Sequence, residues 1–172
     1  MHNYVIQLSS KPVSDKGMHD ENYTEPMHKW NIEDDNYLDS RCDYIGDKIP
    51  FEQIADMIGK DFKKVATLNV AKRTLTFKKP ETLKRKLNTY ARGVLAQYTG
   101  AKKDDKEPML LCFKTLPFWK MLKKLNNPLG VDCIIYCDDC YCESPGRFLN
   151  DYAEHGGNER IFHIGTIMDF HC

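Results

Sequence analysis

Residues 62–100, FKKVATLNVAKRTLTFKKPETLKRKLNTYARGVLAQYTG, carry two periodicities back to back. Val65 to Val70 and Thr74 to Phe77 are β-favourable runs bracketing a basic turn, Ala71-Lys72-Arg73, and together read as a hairpin. From Pro80 the period changes. Leu83, Leu87, Tyr90, Ala91, Val94, Leu95 and Tyr98 recur at three- and four-residue spacing, with Pro80 at the start and Gly100 at the end, which predicts a helix of about five turns over roughly residues 80 to 98. A hairpin feeding a long amphipathic helix sets the pattern for the rest of the chain.

Working outward, "NYVIQLS" alternates Tyr4, Ile6 and Leu8 with other residues, as a half-buried strand does. "IPFEQIADMIGK" predicts a short helix with Pro50 in its first turn, Phe51, Ile54, Ala55 and Ile58 on one face, and a stop at Gly59. Towards the other end, "MLLCFKT" reads as a buried strand, "LPFWKMLKKLNN" as a basic helix started by Pro117, "PGRFLNDYAEHGG" as a short helix and "RIFHIGTIMDF" as a final strand containing a glycine. Strands and helices alternate irregularly and hairpins dominate, so the fold class is α+β with a mostly antiparallel sheet. A length of 172 residues fits one domain over 1–172, and the aromatics Tyr23, Trp30, Tyr37 and Tyr44 imply that the irregular acidic segment 11–48 packs on its body.

Hydrophobic residues make up 41% of the chain and charged residues 29%, enough apolar material for a real core and too little bias for wholesale disorder. Neither a signal-like leader nor an apolar window of membrane-spanning length is visible, so a cytoplasmic location and no membrane partner are expected. The formal net charge of zero conceals a strong segregation: 12 acids and 5 bases over residues 1–59, 5 acids and 18 bases over 60–124, 8 acids and 2 bases over 125–172. Such a layout fits a basic middle that meets a polyanion, or acidic flanks folded against it.

Four of the seven cysteines fall in "VDCIIYCDDCYCES", residues 131–144. With a two-residue turn at Asp138-Asp139, Cys137 would face Cys140 and Ile135 would face Cys142, so that the sulfurs of Cys133, Cys137, Cys140 and Cys142 project from one side. Cys137, Cys140 and Cys142 are then three candidate zinc ligands. Cys133 lies about 13 Å along the strand from Cys137, too far to share the ion, so the fourth donor would come from His163, His171 or Cys172. Packing as small buried hydrophobes is the simpler use, with no cofactor; zinc comes second, and disulfides last in a reducing compartment. Asp138, Asp139 and Glu143 would raise thiol pKa values, which argues against a nucleophile, and no metalloprotease or Walker-type spacing is present. A zinc- or thiol-dependent enzyme is accordingly the last of three readings, behind a non-enzymatic protein.

The hairpin and long helix supply candidate contacts to nucleic acid or a protein partner: Lys72, Arg73, Lys78, Lys79, Lys84, Arg85, Lys86 and Arg92. An acidic contact set, Glu33, Asp34, Asp35 and Asp39, could meet the basic channel of a nucleic-acid-bound nuclease. The end segments "NYVIQLSSKP" and "RIFHIGTIMDF" resemble the terminal strands of small accessory proteins carried on plasmids, prophages and conjugative elements of Firmicutes, some of them anti-defence proteins that include inhibitors of the type II CRISPR nuclease. That resemblance implies an anti-CRISPR-like binding protein that inhibits a defence nuclease by occlusion, and it transfers no functional residue. The alternative from the charge pattern is a nucleic-acid-binding accessory protein acting through residues 60–98.

Overall fold

The computed structural model describes residues 2–14, 25–26, 44–99, 118–131, 133–137, 142–156 and 160–171. In chain order these form β1 (His2–Ser9), β2 (Tyr44–Lys48), α1 (Phe51–Phe62), β3 (Ala66–Asn69), β4 (Thr74–Phe77), α2 (Pro80–Thr99), α3 (Phe118–Asn126), β5 (Cys133–Cys137), β6 (Cys142–Glu143), α4 (Pro145–His155) and β7 (Ile161–His171). The fold is α+β, as the alternation of patterns indicates. The sheet runs β3-β4-β7-β1-β5-β6, and β2 joins the same edge of β7 that β4 uses, further along the strand. Among the described pairs only β1 with β5 is parallel.

Tyr4, Ile6 and Leu8 of β1 face a large cluster with Ile135 of β5, Ile164 and Ile167 of β7, and the apolar stripes of α1 and α4. Val5, on the other side of β1, is equally buried, in a second cluster with Ile134, Cys142, Met168 and Phe170. The expectation of a half-buried β1 is therefore corrected: Val5, Gln7 and Ser9 on its second face are as buried as Tyr4, Ile6 and Leu8 on the first, because that face too packs into an apolar cluster.

A bulge keeps the two faces in phase. Ile6 pairs with Ile167 and Leu8 with Ile164, leaving Gly165 and Thr166 opposite Gln7 alone. The extra residue explains why Ile164 and Ile167, three apart, lie on the same face. Gln7, 3% exposed, repairs the interrupted ladder: its Oε1 accepts from Thr166 N at 3.0 Å and its Nε2 donates to Glu25 O at 2.8 Å. Glycine is required at 165 because a Cβ there would come within 2.3 Å of Gln7 Oε1 and 2.7 Å of Val13 Cγ2.

Three local expectations need correction. First, α1 does not stop at Gly59 but runs on to Phe62. A glycine costs a helix about 1 kcal/mol, and the complete burial of Phe62 against Phe77 (ring centroids 6.2 Å apart, edge on) outweighs it. Second, Tyr44–Lys48, the tail of the segment expected to be irregular, forms β2. Third, the cysteine hairpin is one residue out of the expected register: Tyr136 pairs with Cys142 and Ile135 with Glu143. A one-residue slip moves side chains to the opposite face. Cys142 accordingly packs with Val5 and Ile134, while Cys133 and Cys137 belong to the α1/α4 side. The "MLLCFKT" strand, the Asp138-Asp139 turn, Pro117, Gly100, Tyr23, Trp30 and Tyr37 lie outside the described residues.

Candidate functional site

The long helix stands where its stripe predicts. Leu83 is fully buried in the main cluster, and Val94 packs with Met121 of α3 in a separate outboard cluster flanked by Tyr90, Leu95 and Leu125. Tyr90 also donates through its hydroxyl to Lys124 O at 3.0 Å. With that stripe turned inward, Lys84, Arg85, Lys86 and Arg92 are all exposed. Lys84, Arg85 and Arg92, with Asn88 and Thr89 between them, line an open groove of about 530 Å³ whose far wall is Ala153, Glu154 and Gly156 at the end of α4. Lys86 lies on the opposite flank, towards the hairpin.

There it meets a cation from the hairpin exit. Lys78 Nζ and Lys86 Nζ both donate to the backbone carbonyl of Lys64, the latter at 3.4 Å. Contact with the Lys86 ammonium, and then partial burial, hold the Lys78 amine below the usual lysine range. The backbone around this point is fixed: Lys78 N donates to Val65 O at 2.9 Å, and the Tyr152 hydroxyl of α4 donates to Lys78 O at 3.3 Å. Burial raises the Tyr152 phenol pKa, so that hydroxyl keeps its proton and remains a donor.

The remaining hairpin residues separate. Lys79 is exposed beside Lys78 at the foot of α2, whereas Lys72 is exposed in the loop at the other end of β4, about 13 Å away along a four-residue strand. Arg73 serves the fold. It adopts a left-handed backbone conformation (φ 48°), lays its guanidinium over the Phe51 ring at 4.9 Å and donates from Nη2 to Gly165 O at 3.3 Å, tying the hairpin loop to α1 and to the β7 bulge.

Sequence reading passed over Lys60, Lys63 and Lys64, which extend the same surface from the end of α1 and are all exposed. The signal was there in the Lys63-Lys64 pair directly before the first hairpin strand. It also passed over Lys120, Lys123 and Lys124 of α3, which border a second groove of about 510 Å³ floored by Tyr90 and Val94. Over residues 60–99 there are eleven bases and two acids, Asp61 and Glu81. Among the described residues Arg147 pairs with Glu143 at 3.4 Å and with Asp151 at 4.0 Å, and no ion pair involves a base of the 60–99 surface. Asp61 instead accepts the Tyr4 hydroxyl at 2.8 Å, closing α1 onto β1.

The acidic set Glu33, Asp34, Asp35 and Asp39 lies outside the described residues, as does Cys140. Of the three sulfurs expected together, Cys137 and Cys142 are on different faces of the sheet, and among the described residues no three His, Cys, Asp or Glu side chains gather as a metal would need. No described helix is long and apolar enough to cross a membrane. Comparison with protein-family models, with curated proteins and with solved structures gives no match.

Proposed function

We propose that this chain is a binding protein that engages nucleic acid through the basic surface formed by the end of α1, the β3–β4 hairpin and the outer face of α2. The observation behind this reading is the run of exposed or half-exposed cations (Lys60, Lys63, Lys64, Lys72, Lys78, Lys79, Lys84, Arg85, Lys86, Arg92), none in an ion pair among the described residues. Lys78 and Lys86 converge on one backbone oxygen, and the others face solvent. Among the aromatics of the same elements whose side chains are described, Phe51, Phe62, Phe77 and Tyr90 pack inward, so these offer no stacking platform for bases and the surface is one of phosphate contacts. Binding would then be little dependent on sequence.

Fluorescence anisotropy with a labelled duplex tests it. If 6–10 phosphates are contacted, affinity falls by about 10³–10⁵ between 50 and 200 mM salt, log K being linear in log salt. Replacing Lys84, Arg85, Lys86 and Arg92 together by Glu should abolish binding while the melting temperature stays nearly unchanged, since exposed substitutions shift stability by about 0.5 kcal/mol or less. Duplex binding that is absent at 50 mM salt, or independent of salt, would refute the reading. So would a fourfold variant that melts early yet binds normally.

The likeness of the β1 and β7 segments to accessory proteins of mobile elements favours a particular setting for such a surface: a protein partner, a defence nuclease loaded with nucleic acid, occluded in an anti-CRISPR-like manner. In that setting the purified chain lowers the cleavage rate of the loaded nuclease, and the same fourfold substitution restores it.

A further inference from the structure

The carbonyl of Lys64 is a meeting point of three elements: the turn after α1 supplies it, and the hairpin exit and the second turn of α2 each send an ammonium to it. One neutral oxygen does not balance two cations, and neither side chain is needed there for packing, because Lys86 is exposed and Lys78 only half-buried. We propose that Lys78 and Lys86, beside the Lys64 carbonyl, form a seat for a single phosphate group, whose oxygens accept from the two ammoniums in place of that carbonyl. The proposal rests on the reading of the surface as a nucleic-acid interface and names the position at which one phosphate is held. A phosphodiester brings one negative charge and a phosphomonoester about −1.5 to −2 at pH 7, which matches two ammoniums.

The neighbouring Lys86 ammonium holds the Lys78 pKa down, and an anion between the two amines would raise it. The other charged or titratable groups around it are Lys63, Lys79 and Arg85, next in sequence to Lys64, Lys78 and Lys86, Tyr152 against Lys78 O, and Arg160 and Glu81, whose charges act on Tyr152. Glu81 is the one carboxylate among these, and it lines the groove on the other flank of α2. The seat therefore stays cationic.

Titration of the full chain with sodium phosphate at constant ionic strength, following lysine ε-CH₂ resonances assigned through Lys78→Met and Lys86→Met, tests the seat directly. Saturable shifts confined to those lysines are expected, together with a rise in the Lys78 titration midpoint. Either substitution should weaken phosphate binding about tenfold or more, whereas Lys123→Met on α3 should leave it unchanged. Small uniform shifts at all lysines, the same as sodium chloride produces, would overturn the seat.

Duplexes with 5′-hydroxyl and with 5′-phosphate ends separate the sources of the group. A 5′-phosphate that strengthens binding by the native chain but not by Lys78→Met assigns a monoester; equal weakening of both duplexes by Lys78→Met assigns a backbone diester. Salt-sensitive duplex binding that Lys78→Met leaves intact overturns the seat and spares the wider surface. Saturable phosphate binding with no duplex binding at 50 mM salt supports the seat for a free phosphate and sinks the wider surface instead.

Discussion

Replacing Gly165 by Ala tests the bulge that joins the two central strands. The added Cβ would stand 2.3 Å from Gln7 Oε1, 2.8 Å from Gln7 Cδ and 2.7 Å from Val13 Cγ2. Ordinarily the tip of a glutamine swings aside at little cost, but this one is bonded to Thr166 N on one side and Glu25 O on the other and has almost no solvent to move into. Displacing it leaves the Thr166 N–H without its acceptor, a penalty of about 1–3 kcal/mol. Crowding against Val13 adds roughly 1–3 kcal/mol. A total loss of about 2–6 kcal/mol should appear as a lower urea midpoint with an unchanged m-value. Gln7→Ala removes the obstructing carboxamide, so the double variant Gln7→Ala/Gly165→Ala should lose less than the sum of the two single changes, with a coupling of about 1 kcal/mol or more. A Gly165→Ala cost under about 0.5 kcal/mol, or costs that simply add, would show that the contact does not hold the bulge.

Phe77 touches Phe62, Phe148, Tyr152 and Phe162 at ring-centroid distances of 5.4–6.2 Å, so Phe77→Ala should cost about 3–5 kcal/mol by urea titration, and a loss under about 1 kcal/mol would mean that the aromatic cluster collapses around the gap. Burial, followed by the Cys133 and Asp61 neighbours, pushes the Tyr4 phenol pKa far above its ordinary value. The folded chain then holds that proton while the unfolded chain releases it above pH ~10, so this contribution to stability is complete below pH ~10 and declines as pH rises further. Urea midpoints measured from pH 8 to 11 should therefore fall above about pH 10, and the fall should be shallower in Tyr4→Phe; equal slopes would contradict it.

What the sequence made legible depended on whether one short-range rule settled the outcome. The stripe of α2 alone is enough to place Leu83 and Val94 inward and Lys84, Arg85, Lys86 and Arg92 outward. A glycine-stop rule applied to α1 weighs Gly59 by local propensity, whereas its fate is decided by Phe62 packing on a hairpin strand 15 residues later. β2, sequence YIGDK, has little strand character and owes its state to the edge of β7 that β4 leaves open. The cysteine hairpin was placed by turn length, but the face of β5 is set by its parallel pairing with β1, Tyr4 beside Cys133, and β6 follows one residue later than a two-residue turn allows. Within the basic surface the charge run was visible and its geometry was not. That Arg73 turns back onto Phe51, while Lys78 and Lys86 converge on a backbone oxygen, depends on contacts between elements that no local pattern encodes.

The position of β1 also governs the order in which the molecule can be assembled on the ribosome. Its partners are β5 and β7, and the bond from Thr166 to Gln7 spans 159 residues. At about 5–20 residues per second, β1 waits roughly 8–30 s between its own synthesis and that of β7. Until β5 and β7 have both been made, Tyr4, Val5, Ile6 and Leu8 belong to a strand with an open edge and apolar side chains on both faces, a template for other chains. Substitutions that delay the docking of β7 should therefore reduce the soluble yield of newly made protein more than they lower the melting point of the molecules that succeed in folding.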